Sequence, residues 1–226
     1  MDDYIISFYN DQKEKKNYKI NDYFDCGSYG YIYKLDNNQC LKLFNDNFYF
    51  QSNILKIIKD LKLDNFYQIY DLLFDEENQF CGYTMKYYQS KDIDILTMPT
   101  EYTLDNLYRL YNSVKKLSEK KVTLFDCYYE NTIIDEKNIT IIDTDLFYID
   151  DDISKSDMHF YNNTQLLQLF KDLYQKAGID HKDLYLDDNL LNYIFNHNKN
   201  INEVEKKLIK YKYPIDYVRN VNRGSC

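Results

Sequence analysis

Two stretches decide how this 226-residue chain is read: Leu124-Phe125-Asp126-Cys127-Tyr128-Tyr129-Glu130-Asn131-Thr132-Ile133-Ile134 and, after a polar turn, Ile139-Thr140-Ile141-Ile142-Asp143-Thr144-Asp145. The short apolar segments Asn131–Ile134 and Ile139–Ile142 flank the turn Asp135–Asn138 and predict a small hairpin. Carboxylates stand just outside it at both ends. Asp126 lies in the preceding loop, where an acid can accept a hydroxyl proton. Asn131 follows at a spacing that lets its side chain turn back and offer an oxygen to a divalent cation. Asp143 and Asp145 close the second strand, and carboxylates at a strand end suit Mg²⁺. Each of these acids alone is an ordinary turn residue; the interest lies in their company.

Upstream, Leu104, Leu107, Leu110, Tyr111, Val114 and Leu117 form one apolar stripe, predicting a helix over Leu104–Lys121 with Thr103 placed to cap it. A polar connector, residues 89–102, precedes it. Before that, two short runs, Tyr67–Phe74 and Phe80–Tyr88, are split by the turn Asp75–Asn78 and read as a hairpin. Phe48–Leu63 carries a helical stripe, Phe50, Ile54, Leu55, Ile58 and Leu61. Residues 18–35 alternate around a turn at Gly27–Gly30, and Gln39–Phe44 reads as a third strand with Lys42 between Leu41 and Leu43. The amino-terminal region is thus expected to hold three strands, a helix and two strands. Downstream, an acidic loop is expected over Asp150–Asp157, a helix over Asn163–Lys176 ended by Gly178, and two more helices near 187–197 and 201–211.

Composition narrows the function. The 28 basic and 37 acidic residues leave a net charge of −9, against a general nucleic-acid or anionic-membrane binder. No apolar run reaches the roughly 18 residues of a membrane span, and no signal-peptide pattern opens the chain. The five cysteines are odd in number and lack metal-type spacing, as expected of thiols in a reducing cytoplasm. The 26 tyrosines accompany an excess of Lys, Asn and Ile, residues with AT-rich codons, so their abundance carries little functional weight.

In order, these parts resemble the protein-kinase-like superfamily: a glycine hairpin, a strand lysine, a helix, two strands, a long helix, D-x(4)-N, a hairpin and D-x-D. The resemblance covers about residues 18–176 and implies an α+β, bilobal fold. A small antiparallel-sheet lobe with one helix would span 1–88, and a reduced helical lobe 89–226. It implies that Gly27, Ser28, Gly30 and Ile32 belong to the loop over the phosphates, and that Lys42 is the phosphate-binding lysine. Met85 becomes the gatekeeper before a hinge at Tyr87 and Tyr88, where adenine binds. Asp126 becomes the catalytic acid, with Asn131 and Asp143 as Mg²⁺ ligands and ATP as the phosphoryl donor.

Several positions depart from the family pattern. Asp25 stands for the first glycine, and Gln51 for the helix acid that pairs with the strand lysine. Phe125 precedes Asp126 where an arginine is usual, so it has no charge to receive a phosphorylated loop, and activity is expected not to need one. Tyr128 stands where a lysine often contacts the transferred phosphate. Thr144-Asp145 replaces Phe-Gly, leaving Asp145 either a second metal ligand or a turn cap. The expected activity is transfer of the ATP γ-phosphate to a hydroxyl, foremost by a minimal Ser/Thr protein kinase. Alternatives are a pseudokinase serving as a nucleotide- or partner-binding module, a small-molecule kinase of the aminoglycoside type, and an unrelated Tyr-rich interaction protein. The expected location is the cytoplasm, with neither nucleic acid nor membrane as partner.

Overall fold

A computed structural model describes residues 4–20, 22–27, 29–36, 38–45, 52–89 and 93–178. The first half of the chain supplies strands β1 (Tyr4–Asn10), β2 (Lys15–Ile20), β3 (Asp22–Gly27), β4 (Gly30–Leu35), β5 (Gln39–Phe44), β6 (Ile69–Phe74) and β7 (Phe80–Lys86), with helix α1 (Ser52–Leu61) between β5 and β6. All seven strands join one antiparallel sheet in the order β2-β1-β6-β7-β5-β4-β3.

The sheet is two strands larger than the sequence reading, which began at Tyr18 and missed the β1–β2 hairpin. Tyr4–Asn10 mixes Ser and Asn with its apolar residues, so its period is weak. Its burial comes from β6, which pairs Tyr9 with Phe74 and Asn10 with Leu73. The hairpin turn is tied by Asn10, whose Oδ1 accepts from the backbone N–H of Gln12 and Glu14. The sheet curls until β2 approaches β4. Inside the curl lies a separate apolar core of Leu35, Leu41 and Leu73, covered by Ile6, Phe8, Tyr18 and Ile20.

Strand β5 is consequently buried on both faces. Leu41 and Leu43 point into this inner core, while Cys40 and Phe44 face the main core on the other side, with Lys42 between them in the strand alternation. On that second face α1 packs through Ile54, Leu55 and Ile58. The apolar stripe expected from Phe48 extends into residues 46–51, which lie outside the described ones.

The second half contains α2 (Thr100–Glu119), β8 (Val122–Thr123), a single 3-10 turn (Tyr129–Asn131), β9 (Thr132–Ile134), β10 (Ile139–Ile141), β11 (Tyr148–Ile149) and α3 (Lys155–Lys176). The β9–β10 hairpin forms where the sequence predicts it. Helix α2 starts earlier than Leu104, with Pro99 at its N-cap. Thr103 therefore lies within the first turn and is not a cap; its hydroxyl donates back to the Pro99 carbonyl. Helix α3 also starts early and takes up the end of the expected acidic loop. Ser154 caps it by accepting from the Asp157 N–H at 3.2 Å, so Asp157 becomes a first-turn residue beside the positive helix end. Gly178, at φ 92°, closes α3 as expected. The helices expected near 187–197 and 201–211, with His181 and His197, lie outside the described residues.

One buried cluster runs without a break from α1, β6 and β7 through α2 to α3. Two wholly buried asparagines brace the elements around it. Asn106 of α2 donates to the carbonyls of Tyr102 and Lys137, each at 2.7 Å, and accepts from Ile139 N–H, fixing the β9–β10 hairpin to the helix. Asn162 of α3 accepts from Leu124 N–H and donates to Val122 O, each at 2.8 Å, and donates to Ser118 Oγ. It thereby fixes the backbone two residues before Asp126. Sheet and hairpin meet where Phe66 bridges Ile141 in parallel, with Tyr67 N–H on Ile141 O and Ile141 N–H on Asn65 O. That junction sets Asp143 two residues from the sheet-bearing half.

Candidate active site

Lys42 occupies the middle of β5, opposite Ile32 of β4 on one side and Tyr83 of β7 on the other. Its neighbours are drawn unusually close. A Cβ on Gly30 would meet Leu43 O at 2.2 Å, and one on Gly82 would meet Lys42 O at 2.1 Å. Gly30 is thus required by strand approach, whatever else it does. Lys42 is only 3% exposed, so the ordinary reading of a strand lysine, an ammonium on a wet sheet face, does not apply.

The ammonium is neutralised by the far half of the chain. Lys42 Nζ lies 2.9 Å from Asp143 Oδ2 and 2.5 Å from Asp145 Oδ2. The two acids differ. The Asp143 side chain is 33% exposed and opens to solvent, whereas that of Asp145 is 1% exposed. Asp145 Oδ1 accepts from Tyr83 OH at 3.1 Å, and its backbone N–H donates to Asp143 Oδ1 at 3.1 Å. Tyr67, packed against Tyr83 at 5.7 Å between ring centroids, bonds Thr144 Oγ1 at 2.9 Å. All three residues of the Asp143–Asp145 segment are thus tied to the sheet side.

The electrostatics follow from this burial. Desolvation works to lower the Lys42 pKa, but Asp145 and then Asp143 outweigh it and hold it above its ordinary value. Burial lifts the Asp145 carboxyl to about 7, helped by the charge of Asp143, although Lys42 and Tyr83 pull it down. Burial, then the Asp145 charge, pushes both Tyr67 and Tyr83 well above the usual phenol range, so both remain protonated.

A second cluster lies one hydrogen bond away. Asp126 adopts the left-handed conformation, φ 58°, rare outside glycine but tolerated by Asp and Asn. Asn131 Nδ2 holds it by donating to Asp126 O at 2.8 Å and Oδ2 at 3.2 Å. Asn131 O in turn accepts from Ile142 N–H at 2.9 Å, which couples this loop to the backbone beside Asp143. Asp126 and Asn131 border a pocket of about 650 Å³ with Tyr128, Glu130, Asp172 and Lys176. Phe125 and Tyr128 beside them are half exposed, and Phe125 leans on Tyr148. Cys127 is buried, which pushes its thiol up to about 12 and leaves it inert.

The remaining expected residues form two further groups. Gly27 and Gly30 face each other across the β3–β4 turn at Tyr29. Ser28 and Gln51 lie outside the described residues. Met85 is buried in β7, opposite Cys40. Tyr87 and Tyr88 follow β7 and border a second pocket of about 260 Å³ with Ile133, Lys137 and Thr140. Lys34 sits 4.6 Å over the Tyr87 ring and Lys86 5.2 Å over that of Tyr88. Sequence reasoning missed Tyr67, Tyr83, Thr144 and Ile133. In a chain with 26 tyrosines no local signal singles out these two. Only the register opposite Lys42 marks Tyr83.

No family model and no curated protein matches the chain. Among solved structures it is similar to the Cydia pomonella granulovirus kinase PK-1, with 19% identity and a TM-score of 0.46. The likeness covers 58% of this chain and 55% of that one, so it spans about half the length of the viral kinase. Among the described residues, no helix is long and apolar enough to cross a membrane.

Proposed function

We propose that this protein is an ATP-dependent phosphotransferase that moves the γ-phosphate to a hydroxyl, with Ser or Thr of a protein as the favoured acceptor. Residues 1–88 serve as the nucleotide-covering lobe and 89–226 as the lobe bearing the catalytic loop. The observation that carries this reading is the 2.9 Å pairing of Lys42 with Asp143, joined through Ile142 and Asn131 to Asp126. A buried lysine beside a solvent-open carboxylate is what a metal-bound triphosphate requires. The lysine answers phosphate charge and the carboxylate answers the cation.

The donor set suits Mg²⁺. Asp143 and Asn131 offer only hard oxygens, and the two bonds that Asn131 Nδ2 donates to Asp126 leave its Oδ1 as an acceptor. Among the described residues no group of three or more His, Cys, Asp or Glu is arranged to hold a metal. That fits a cation which takes one or two carboxylates from protein and the rest from phosphates and water. When bound, Mg²⁺ neutralises charge on the β- and γ-phosphates. Lys42 binds the α/β-phosphates, the Gly27–Gly30 turn covers them with backbone N–H groups, and Tyr87, Tyr88 and Ile133 receive the adenine. Asp126, held in place by Asn131, orients the acceptor hydroxyl and takes its proton at a carboxylate oxygen.

The test is incubation of the purified protein with γ-labelled ATP and cell lysate, comparing wild type with Asp126→Ala. Label on protein from wild type alone supports the reading; equal transfer by Asp126→Ala removes Asp126 from it. A second reading, a nucleotide- or partner-binding module without transfer, is favoured by one observation: two carboxylates of its own chain already neutralise Lys42. Mg·ATP binding without label transfer to any protein or small hydroxyl acceptor supports that second reading.

A further inference from the structure

Asp145 is neither an exposed metal ligand nor a turn cap, the two roles its spacing suggests. Its side chain is the most deeply buried carboxylate at the site, 1% exposed, and both of its oxygens are engaged on the sheet side. Oδ2 meets Lys42 Nζ at 2.5 Å, and Oδ1 accepts from Tyr83 OH. Lys42 and Tyr83 are directly opposed across β5 and β7, so their side chains leave the same face of the sheet together. Asp143 shares the lysine but keeps an open side towards solvent. The two carboxylates thus divide the work.

We propose that Asp145 is the positioning residue for Lys42: a Tyr83–Asp145–Lys42 chain fixes the ammonium and leaves the solvent-open side of Asp143 to face a cation. This deepens the phosphotransferase reading and rests on it for the role of Lys42, while the pairing itself stands on geometry alone. The chain has Gln51 where a helix acid is expected to hold this lysine. Asp145 supplies a charge to this lysine from two residues beyond Asp143. Lys42 is anchored by a segment that is itself tied down through Thr144–Tyr67 and Asp145–Tyr83.

The experiment has three arms, run on the full chain with wild type, Asp145→Asn and the milder Tyr83→Phe, which deletes only the hydroxyl. Acetylation of Lys42 by an N-hydroxysuccinimide ester at fixed pH, followed by mass spectrometry, reads the anchor without nucleotide. A rise of about fivefold or more in Asp145→Asn, and a smaller one in Tyr83→Phe, is expected, and an unchanged rate in both overturns the proposal. Calorimetry with Mg·ATP and with adenosine reads the function. Asp145→Asn is expected to weaken ATP about tenfold and leave adenosine unchanged, since only the phosphates use Lys42; equal loss of both means a merely structural role and overturns it. The Mg²⁺ concentration for half-maximal ATP binding is expected to stay constant in Asp145→Asn and to rise in Asp143→Ala. A rise in Asp145→Asn makes it a metal ligand and overturns the proposal. If wild type binds no ATP, the phosphotransferase reading fails and positioning for phosphate fails with it, while the acetylation arm still decides whether Asp145 anchors Lys42.

Discussion

The ammonium of Lys42 lies 2.9 Å from the carboxylate of Asp143, a residue 101 positions further along the chain. The contact joins an interior strand of a curled sheet to the end of a hairpin braced on α2. Nothing local holds these groups together. Their meeting depends on the Phe66–Ile141 bridge and on the buried asparagines that set the hairpin and the Asp126 loop. The chemistry proposed for the site therefore depends on packing some distance from it.

Lys42→Met will leave Asp145 buried with no cation opposite. Breaking a buried pair from one side costs about 3–5 kcal/mol, and a loss of that order is expected in urea unfolding at neutral pH. Combining Lys42→Met with Asp145→Asn removes both charges and should restore at least about 1 kcal/mol of it. Strictly additive losses in the double variant would show that the two do not interact.

Asn162→Ala removes three hydrogen bonds and strands the buried Leu124 N–H and Val122 O. Each buried group left without a partner costs about 1–3 kcal/mol, so the melting temperature should fall sharply. Phosphoryl transfer should fall as well, because the backbone leading into Asp126 loses its brace. Unchanged thermal unfolding would mean that water replaces the amide.

Gly82→Ala tests the close approach of β7 to β5. The added methyl meets Lys42 O at 2.1 Å and Leu43 Cα at 3.1 Å, both backbone atoms that cannot swing away. A destabilisation of about 1–3 kcal/mol or more is expected from forced strand separation, read by denaturant titration. Gly178→Ala adds a methyl that meets nothing, so its cost comes from the positive φ alone and should be smaller, about 1 kcal/mol.

Asp126→Asn separates fold from chemistry. Asn tolerates the left-handed backbone at φ 58° as well as Asp does, so the urea midpoint should hardly change. Transfer of label from ATP should disappear, since an amide cannot take the acceptor's proton. A variant that keeps turnover would deny Asp126 the role of base.

His159 makes the fold sensitive to acid. Burial, then Lys115, lowers its pKa below the ordinary 6.5, against an opposing pull from Glu119, and Tyr111 and Asn163 face its Nε2. Asn163 Nδ2 can only donate to Nε2, so the neutral ring carries its proton on the buried, unpartnered Nδ1, and a second proton, on Nε2, meets that donor. Between the lowered value and 6.5 the unfolded chain binds more protons than the native one, so stability falls as pH drops through that window. His159→Gln should flatten this part of the stability–pH curve. An identical slope in the variant would place the acid sensitivity elsewhere.

The amino-acid sequence alone determined the order of the elements from β3 to α3, the short strands β8 and β11 aside. It also marked the β9–β10 hairpin, the stripe of α2, the glycine end of α3, and which polar residues bracket the hairpin. These are written in local periodicity and in residues whose backbone preferences act over three or four positions. Tertiary structure decided the rest. It recruited Tyr4–Asn10 as a strand, because β6 offered an edge and the curled sheet an apolar interior. It buried Lys42 among Asp143, Asp145 and Tyr83. Such partners are chosen by burial: a charge taken out of water must find its opposite wherever the fold brings one within reach, and no pattern along the chain records that distance.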